Sequence, residues 1–301
     1  MAQDLIVGVV DKYKWDQIKT WANSIKKSGF TGNKALIVYN MDVETVRKLT
    51  AEGFMLIGCN QYDEATGFSH DNSRGSVMVD RFFHLYSFLN LLSEPVNRVI
   101  MTDVRDVIFQ DSPSNWLDNN LTDDLLVGSE NLKYKDEPWG RNNLQQAFGQ
   151  YFLDTYGDNE IYCAGVIAGT RNAMRDLALN VWLICRGLNP HVPGGGGPDQ
   201  AALNVLLQSD VYSNITNFSN PSDGWVVHAG TSLPAIKAGS GGIGEAYRAN
   251  PNISLPFVKE VDYTINNGDV LVNGNKVTIL HQWDRVPEWK AIVEEKYGDP
   301  N

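Results

Sequence analysis

Between Leu5 and Met101 the chain alternates short apolar runs with amphipathic ones, and this rhythm restricts it to an α/β architecture. Leu5 to Val10, Ala35 to Tyr39, Met55 to Cys59 and Val99 to Met101 have the length and β-branched content of strands. Between them, Trp15 to Lys27 repeats Ile18, Trp21, Ala22 and Ile25 at helical spacing. Asp42 stands as the cap of a helix reaching about Glu52. Ser76 to Leu92 carries a broad apolar face, including Val79, Phe82, Leu85 and Leu89, which Pro95 closes off. Strands joined through helices return in the same direction, so the pattern predicts a mostly parallel sheet with helices on both faces.

The second half is less regular. Leu125 to Ser129, Tyr162 to Ala168, Val226 to His228 and Lys276 to His281 read as strands; Leu144 to Tyr156, Arg175 to Arg186 and Asp199 to Gln208 read as helices. Val270 to Val277 is a hairpin with its turn at Asn273-Gly274. With no repeat and no low-complexity linker, residues 1–301 are expected to form one domain of two lobes, about 1–130 and about 131–301.

The formal net charge of −11 and sequence pI near 4.9 leave no basic excess to displace phosphate counterions, so nucleic acid is not an expected partner. Cys59, Cys163 and Cys185 are few and widely spaced, which fits neither a disulfide framework nor a zinc site and suits a reducing cytoplasm. The first residues lead into the Leu5 run without a basic segment, and no stretch is long and apolar enough for a membrane span. The Asn-x-Ser/Thr triplets at Asn120, Asn214, Asn217 and Asn252 carry no weight in so Asn-rich a chain.

Asp103 and Asp106 follow the Val99 strand, at the end of a strand where open α/β sheets bind ligands. Three residues apart on a straight strand, they would point to opposite faces. They converge only if the backbone turns at Val104-Arg105, and a turned carboxylate pair seats a divalent cation; the alternative is a surface ion-pair cluster with Arg105. Near the C-terminus, Leu280-His281-Gln282 delivers a histidine that would complete the metal site and shift its preference from Mg²⁺ toward Mn²⁺. His228 competes for the same role.

Other candidates have simpler readings beside the functional one. Ala164-Gly165 permits close backbone approach to a ligand or tight packing. Asp199 and Gln200, after the Gly194–Gly197 run, line a reaction centre or, for Asp199, cap a helix. Arg81 and Arg74 stand where a paired-donor fork would meet a nucleotide's phosphates or ribose, or water. Trp139, Trp225 and Trp283 suit either stacking on a sugar or base, or core packing. Lys133 to Asn143 reads as a lid, an acceptor surface or an ordinary loop.

The strand before Thr102-Asp103-Val104-Arg105-Asp106, the Ala164-Gly165 strand end, the Pro198-Asp199-Gln200 helix start and the late His281-Gln282 together resemble the GT-A class of nucleotide-sugar-dependent glycosyltransferases, over about Asp4 to Trp289. The resemblance implies a Rossmann-like sheet with a nucleotide-binding lobe and a less regular acceptor lobe. It implies that Asp103 and Asp106 act as the metal-binding D-x-D motif, stretched to D-x-x-D as in collagen glucosyl- and galactosyltransferases. It implies that His281 completes the site around Mn²⁺ or Mg²⁺, and that Val9, Asp11 and Tyr13 hold the base. Arg74, Arg81, Asp103, Val104, Ala164 and Gly165 would line the rest of the pocket for a nucleoside-diphosphate sugar, with a UDP-sugar favoured. Asp199 and Gln200 would sit at the reacting carbon, with retention of configuration favoured, and the acceptor would be a glycan or other hydroxyl.

A sugar-nucleotide pyrophosphorylase needs a Gly-rich phosphate loop where this chain has Asp11 to Asp16, and a dehydrogenase needs the G-x-G-x-x-G that Val7 to Val10 lacks. A phosphatase would carry its aspartates after an early strand. A catalytically silent carbohydrate-binding protein on the same sheet is the alternative from another class.

Overall fold

The computed structural model describes residues 2–58, 61–63, 68–70, 76–192 and 195–298, the two short segments at 61–63 and 68–70 as backbone only. Cys59, Arg74 and Gly194 lie outside the described residues. The first strands and helices follow the predicted rhythm: β1 (Gln3–Asp11), α1 (Trp15–Lys27), β2 (Asn33–Tyr39), α2 (Val43–Ala51) and β3 (Met55–Gly58). A short ribbon pairs β4 (Gln61–Asp63) with β5 (Phe68–His70), and α3 (Val77–Leu91) leads into β6 (Val96–Thr102). After β7 (Val107–Phe109) come α4 (Pro113–Asn120), β8 (Leu125–Lys133), α5 (Pro138–Phe148), α6 (Gln150–Tyr156), β9 (Glu160–Thr170), α7 (Arg171–Cys185), α8 (Asp199–Leu207) and β10 (Thr216–Ser219).

Seven strands form the central sheet in the order β10-β8-β9-β6-β1-β2-β3, all pairs parallel except the two that β9 makes. The protein is therefore α/β, with a mostly parallel sheet flanked by helices. From β1 the chain runs outward to β3 and returns to the other side of β1 as β6, which makes the β1/β6 boundary a topological switch point. At such a boundary the helices diverge to opposite faces and leave a crevice at the strands' carboxyl ends.

The sequence of β1 shows why both faces are covered. Leu5, Val7 and Val9 enter one apolar cluster with α3 and α7, while Ile6 and Val10 enter the other with α1. The continuous apolar run is thus a period-two pattern read on two faces. Gly8 interrupts it for a steric reason: a Cβ there would lie 2.5 Å from Val104 and 2.8 Å from Leu36. Asp42 caps α2 as expected, accepting from Thr45 N at 2.9 Å.

A second sheet of three strands joins β11 (Val226–His228), β15 (Ile279–His281) and β7 in that order, β11 and β15 parallel, β15 and β7 antiparallel. A meander of β12 (Tyr263–Asn266), β13 (Asp269–Val272) and β14 (Asn275–Lys276) packs behind it. Asn273-Gly274 makes the predicted turn, both residues at positive φ, and Asn267-Gly268 repeats it one strand earlier. The expected helix from Leu144 to Tyr156 is instead two, broken at Gly149 with φ +86°. The expected loop from Lys133 to Asn143 is a turn only up to Glu137 and helix from Pro138 onward, because Pro138 fits the first turn of α5 and Glu137 caps it on Gly140. No helix among the described residues is long and apolar enough to cross a membrane.

At the other end of the sheet, Arg98 forks onto Asp4 through Nε at 3.0 Å and Nη2 at 2.8 Å, and Ser114 of α4 donates to the same carboxylate at 2.6 Å. This buried pair fastens β6 to β1 below the crevice. Asp4→Ala leaves Arg98 with only Asp118, so urea unfolding is expected to show a loss of about 3 kcal/mol, while Asp4→Asn, which keeps hydrogen bonding, loses less.

Candidate active site

β6 ends at the fully buried Thr102, which accepts from the Trp21 indole at 3.0 Å, and the next four residues reverse the chain. Asp103 N still donates to the Gly165 carbonyl of β9 at 2.8 Å, so the large sheet fixes it. The Asp106 carbonyl accepts from Gln282 N at 2.7 Å, so the small sheet fixes it. In that sheet His281 stands opposite Val107 on one side and His228 on the other. Backbone pairing thus brings two carboxylates and an imidazole together. His281 Nε2 lies 3.5 Å from Asp103 Oδ2 and 3.9 Å from Asp106 Oδ1, and one donor atom from each residue lies within 4.8 Å of the others.

Two oxygens and one borderline nitrogen form a donor set suited to Mg²⁺ or Mn²⁺. The space beside them is kept by Gly165, where a Cβ would lie 2.4 Å from His281 Cε1 and 2.9 Å from Asp103 Oδ2. The residues fit a divalent cation.

The charges are held unequally. Burial would raise the Asp103 carboxyl, but Arg81, with the hydrogen bond to His281, holds it down at about 2. Burial raises Asp106; His281 opposes this and Asp103 adds to it. Burial disfavours the His281 cation, yet the Asp103 hydrogen bond and the Asp106 charge raise it above the ordinary histidine value. Arg105, half exposed, pairs with Asp106 at 3.3 Å and Asp284 at 3.6 Å on the outer side.

Arg81 is not presented to a ligand as a free fork. It is 5% exposed, with Nη1 on Asp103 at 2.5 Å and Nη2 on Asp199 at 2.7 Å. This bond corrects the capping expectation for Asp199: it is the first residue of α8 behind Pro198, and its carboxylate goes to Arg81. Gln200 accepts from Ala164 N at 3.2 Å and donates to Glu130 Oε1 at 3.1 Å, so both ends of its amide are engaged. Ala164 is likewise spoken for through its backbone, its carbonyl lying 3.4 Å from Arg81 Nη2.

Asp11 and Tyr13 stand at the carboxyl end of β1, across the switch point from Asp103, both half-buried. Burial raises the Tyr13 phenol against the pull of Arg105, and Asp103 and Asp106 add to the rise, so its hydroxyl shares their field. Asp11 accepts from Asn40 at 2.9 Å. The Val9 and Val104 side chains are core, which leaves only their backbones for a ligand. Trp225 is fully buried against Trp116, Trp283 is buried in the small-sheet core, and Trp139 donates to Gly195 O at 3.1 Å.

Sequence reasoning passed over Glu130 and Cys163. Glu130 is buried, and burial, reinforced by the Glu137 charge, pushes its carboxyl up to about 7. Its signal was positional: it follows the Leu125–Ser129 run as Asp103 follows the Val99 run. Cys163 Sγ lies 3.6 Å from His281 Nδ1, and His228 Nδ1 lies 2.9 Å from the same atom, which places His228 behind His281 rather than among the carboxylates.

No family model matches the sequence, and no curated protein does. Among solved structures, the chain is similar to the WbbM bifunctional glycosyltransferase in its apo structure, with a TM-score of 0.58 at 13% identity. The match covers 99% of this chain and 50% of that one, so the chain spans about half the length of that structure. The likeness is one of fold.

The raised His281 value has a signed consequence. Without divalent cation, His281 gains a charge partner on folding, so its stabilisation is full below the unfolded value of about 6.5 and is lost as pH rises through the higher folded value. Thermal melts in chelator should show the gap between the parent protein and His281→Gln largest in mild acid and shrinking toward alkaline pH; a gap that widens with pH contradicts the assignment.

Proposed function

We propose that this protein is a metal-dependent glycosyltransferase of the GT-A type. It moves a sugar from a nucleoside-diphosphate sugar, with UDP as the favoured nucleotide, to a hydroxyl of a glycan or other acceptor. The observation that carries the reading is the convergence of Asp103, Asp106 and His281 beside the β1/β6 switch point. The likeness in fold to a glycosyltransferase supports it.

In this reading Asp103, Asp106 and His281 hold Mn²⁺ or Mg²⁺. When bound, the cation supplies positive charge to the diphosphate as the sugar's bond to it breaks. The chain's own residues do the rest by position. Asp11 and Tyr13, at the end of β1, bind the nucleoside, with the Val9 and Val104 backbones alongside. Arg81 does not touch phosphate; it holds Asp103 and Asp199 at fixed spacing, so the carboxylates need not reorganise as charge develops. Asp199 and Gln200 line the floor of the reaction centre. One is tied to Arg81 and the other to Ala164 and Glu130, so neither is presented as a free base, which supports the retaining course over base-assisted inversion.

A donor screen for released nucleoside diphosphate, with and without Mn²⁺, tests this. Asp106→Ala is expected to lower the release at least about 100-fold. It should leave the circular dichroism and melting temperature near the parent's, because burial and Asp103 already disfavour the Asp106 charge. Full turnover in that variant, or in excess chelator, would sink the enzyme assignment. Sugar binding with neither metal dependence nor turnover would make the chain a carbohydrate-binding protein instead.

A further inference from the structure

His228 takes no part in the function proposed above, yet it is 3% exposed and meets His281 nitrogen to nitrogen at 2.9 Å, the two rings nearly perpendicular at 85°. Two imidazole nitrogens at that distance need one N–H and one bare lone pair. The pairing is built by backbone: the β11/β15 register sets His228 directly opposite His281. Gly128 of β8 makes room behind, since a Cβ there would lie 2.8 Å from His228 Nε2 and 2.2 Å from Val226.

We propose that His228 is a positioning residue that holds the Nδ1 proton of His281, so that Nε2 is the nitrogen left to a cation when one replaces the hydrogen bond to Asp103. The inference rests on the metal-site reading of those three residues. A neutral imidazole has one proton, and a cation at Nε2 requires that proton at Nδ1. His281 Nδ1–H then donates to His228 Nδ1, and the proton of His228 must sit on its Nε2, beside the Gly128 backbone. The reversed order would put the His281 proton on Nε2, facing the carboxylates, and close the site to a cation. Cys163 Sγ, at 3.6 Å from His281 Nδ1, is a weak second neighbour of the same N–H. Partners behind a metal-ligating histidine act in this way, orienting the ring and selecting the nitrogen that binds.

Two measurements test it. Long-range proton–nitrogen NMR of the folded protein, labelled at histidine nitrogen and loaded with Mg²⁺, should show His228 protonated at Nε2 and His281 at Nδ1; a His281 proton on Nε2 overturns the proposal without any variant. Mn²⁺ affinity, read from the electron paramagnetic resonance of free Mn²⁺, should weaken about 10- to 100-fold in His228→Leu. It should recover most of that in His228→Asn, whose Oδ1 replaces Nδ1 as acceptor. Equal affinity in the leucine variant overturns the proposal, and so does a thiolate-to-cobalt absorption band on adding Co²⁺ that Cys163→Ser abolishes, because the three donors would then hold a soft ion themselves. A parent protein that binds no Mn²⁺ defeats the metal-site reading, whereas a parent that binds it with a leucine variant of equal affinity defeats this proposal alone.

Discussion

The reversal from Thr102 to Val107 is the constraint from which the rest of the site follows. It transfers the chain from the large sheet to the small one, and a backbone hydrogen bond to each sheet pins its two ends. Once β6 is paired with β9 and β7 with β15, the positions of Asp103, Asp106 and His281 are set by ladder registers rather than by side-chain preference. A site built on two registers is held more firmly than one built on a loop.

Arg81 is the electrostatic counterpart of that reversal. A guanidinium almost out of water is costly by itself, and two close carboxylates offset the cost. Asp103 and Asp199 come from segments 96 residues apart, so Arg81 also couples the start of α8 to the turn after β6. Along the row Asp106, Asp103, Arg81, Asp199 the first contact repels and the next two attract; burial raises the Asp106 and Asp199 carboxyls even so, while Arg81 and His281 hold Asp103 down.

What could be read from the sequence was local. The alternation from Leu5 to Met101, the Asp42 cap, the Asn273-Gly274 turn and the need for a bend at Val104-Arg105 each depend on a few neighbouring residues, and each is present in the structure. What could not be read was partnership across the chain. Nothing near Arg81 names Asp199, and nothing near His228 says that it will face His281 rather than the carboxylates. Asp199 had a sufficient local explanation as a cap, and a long-range bond overrode it. The stretch from Lys133 to Asn143 went the other way: its charge reads as loop, but Pro138 is at ease in a helix's first turn, and Glu137 before it supplies the cap.

Gly8 shows where the sensitivity of such an arrangement resides. Its missing side chain is the socket into which Val104 fits, and Val104 is the middle of the turn that carries both aspartates. A substituent at position 8 would press on that turn from below without touching either acid. One demand on the site is therefore one of volume, made by a residue with no functional group at all.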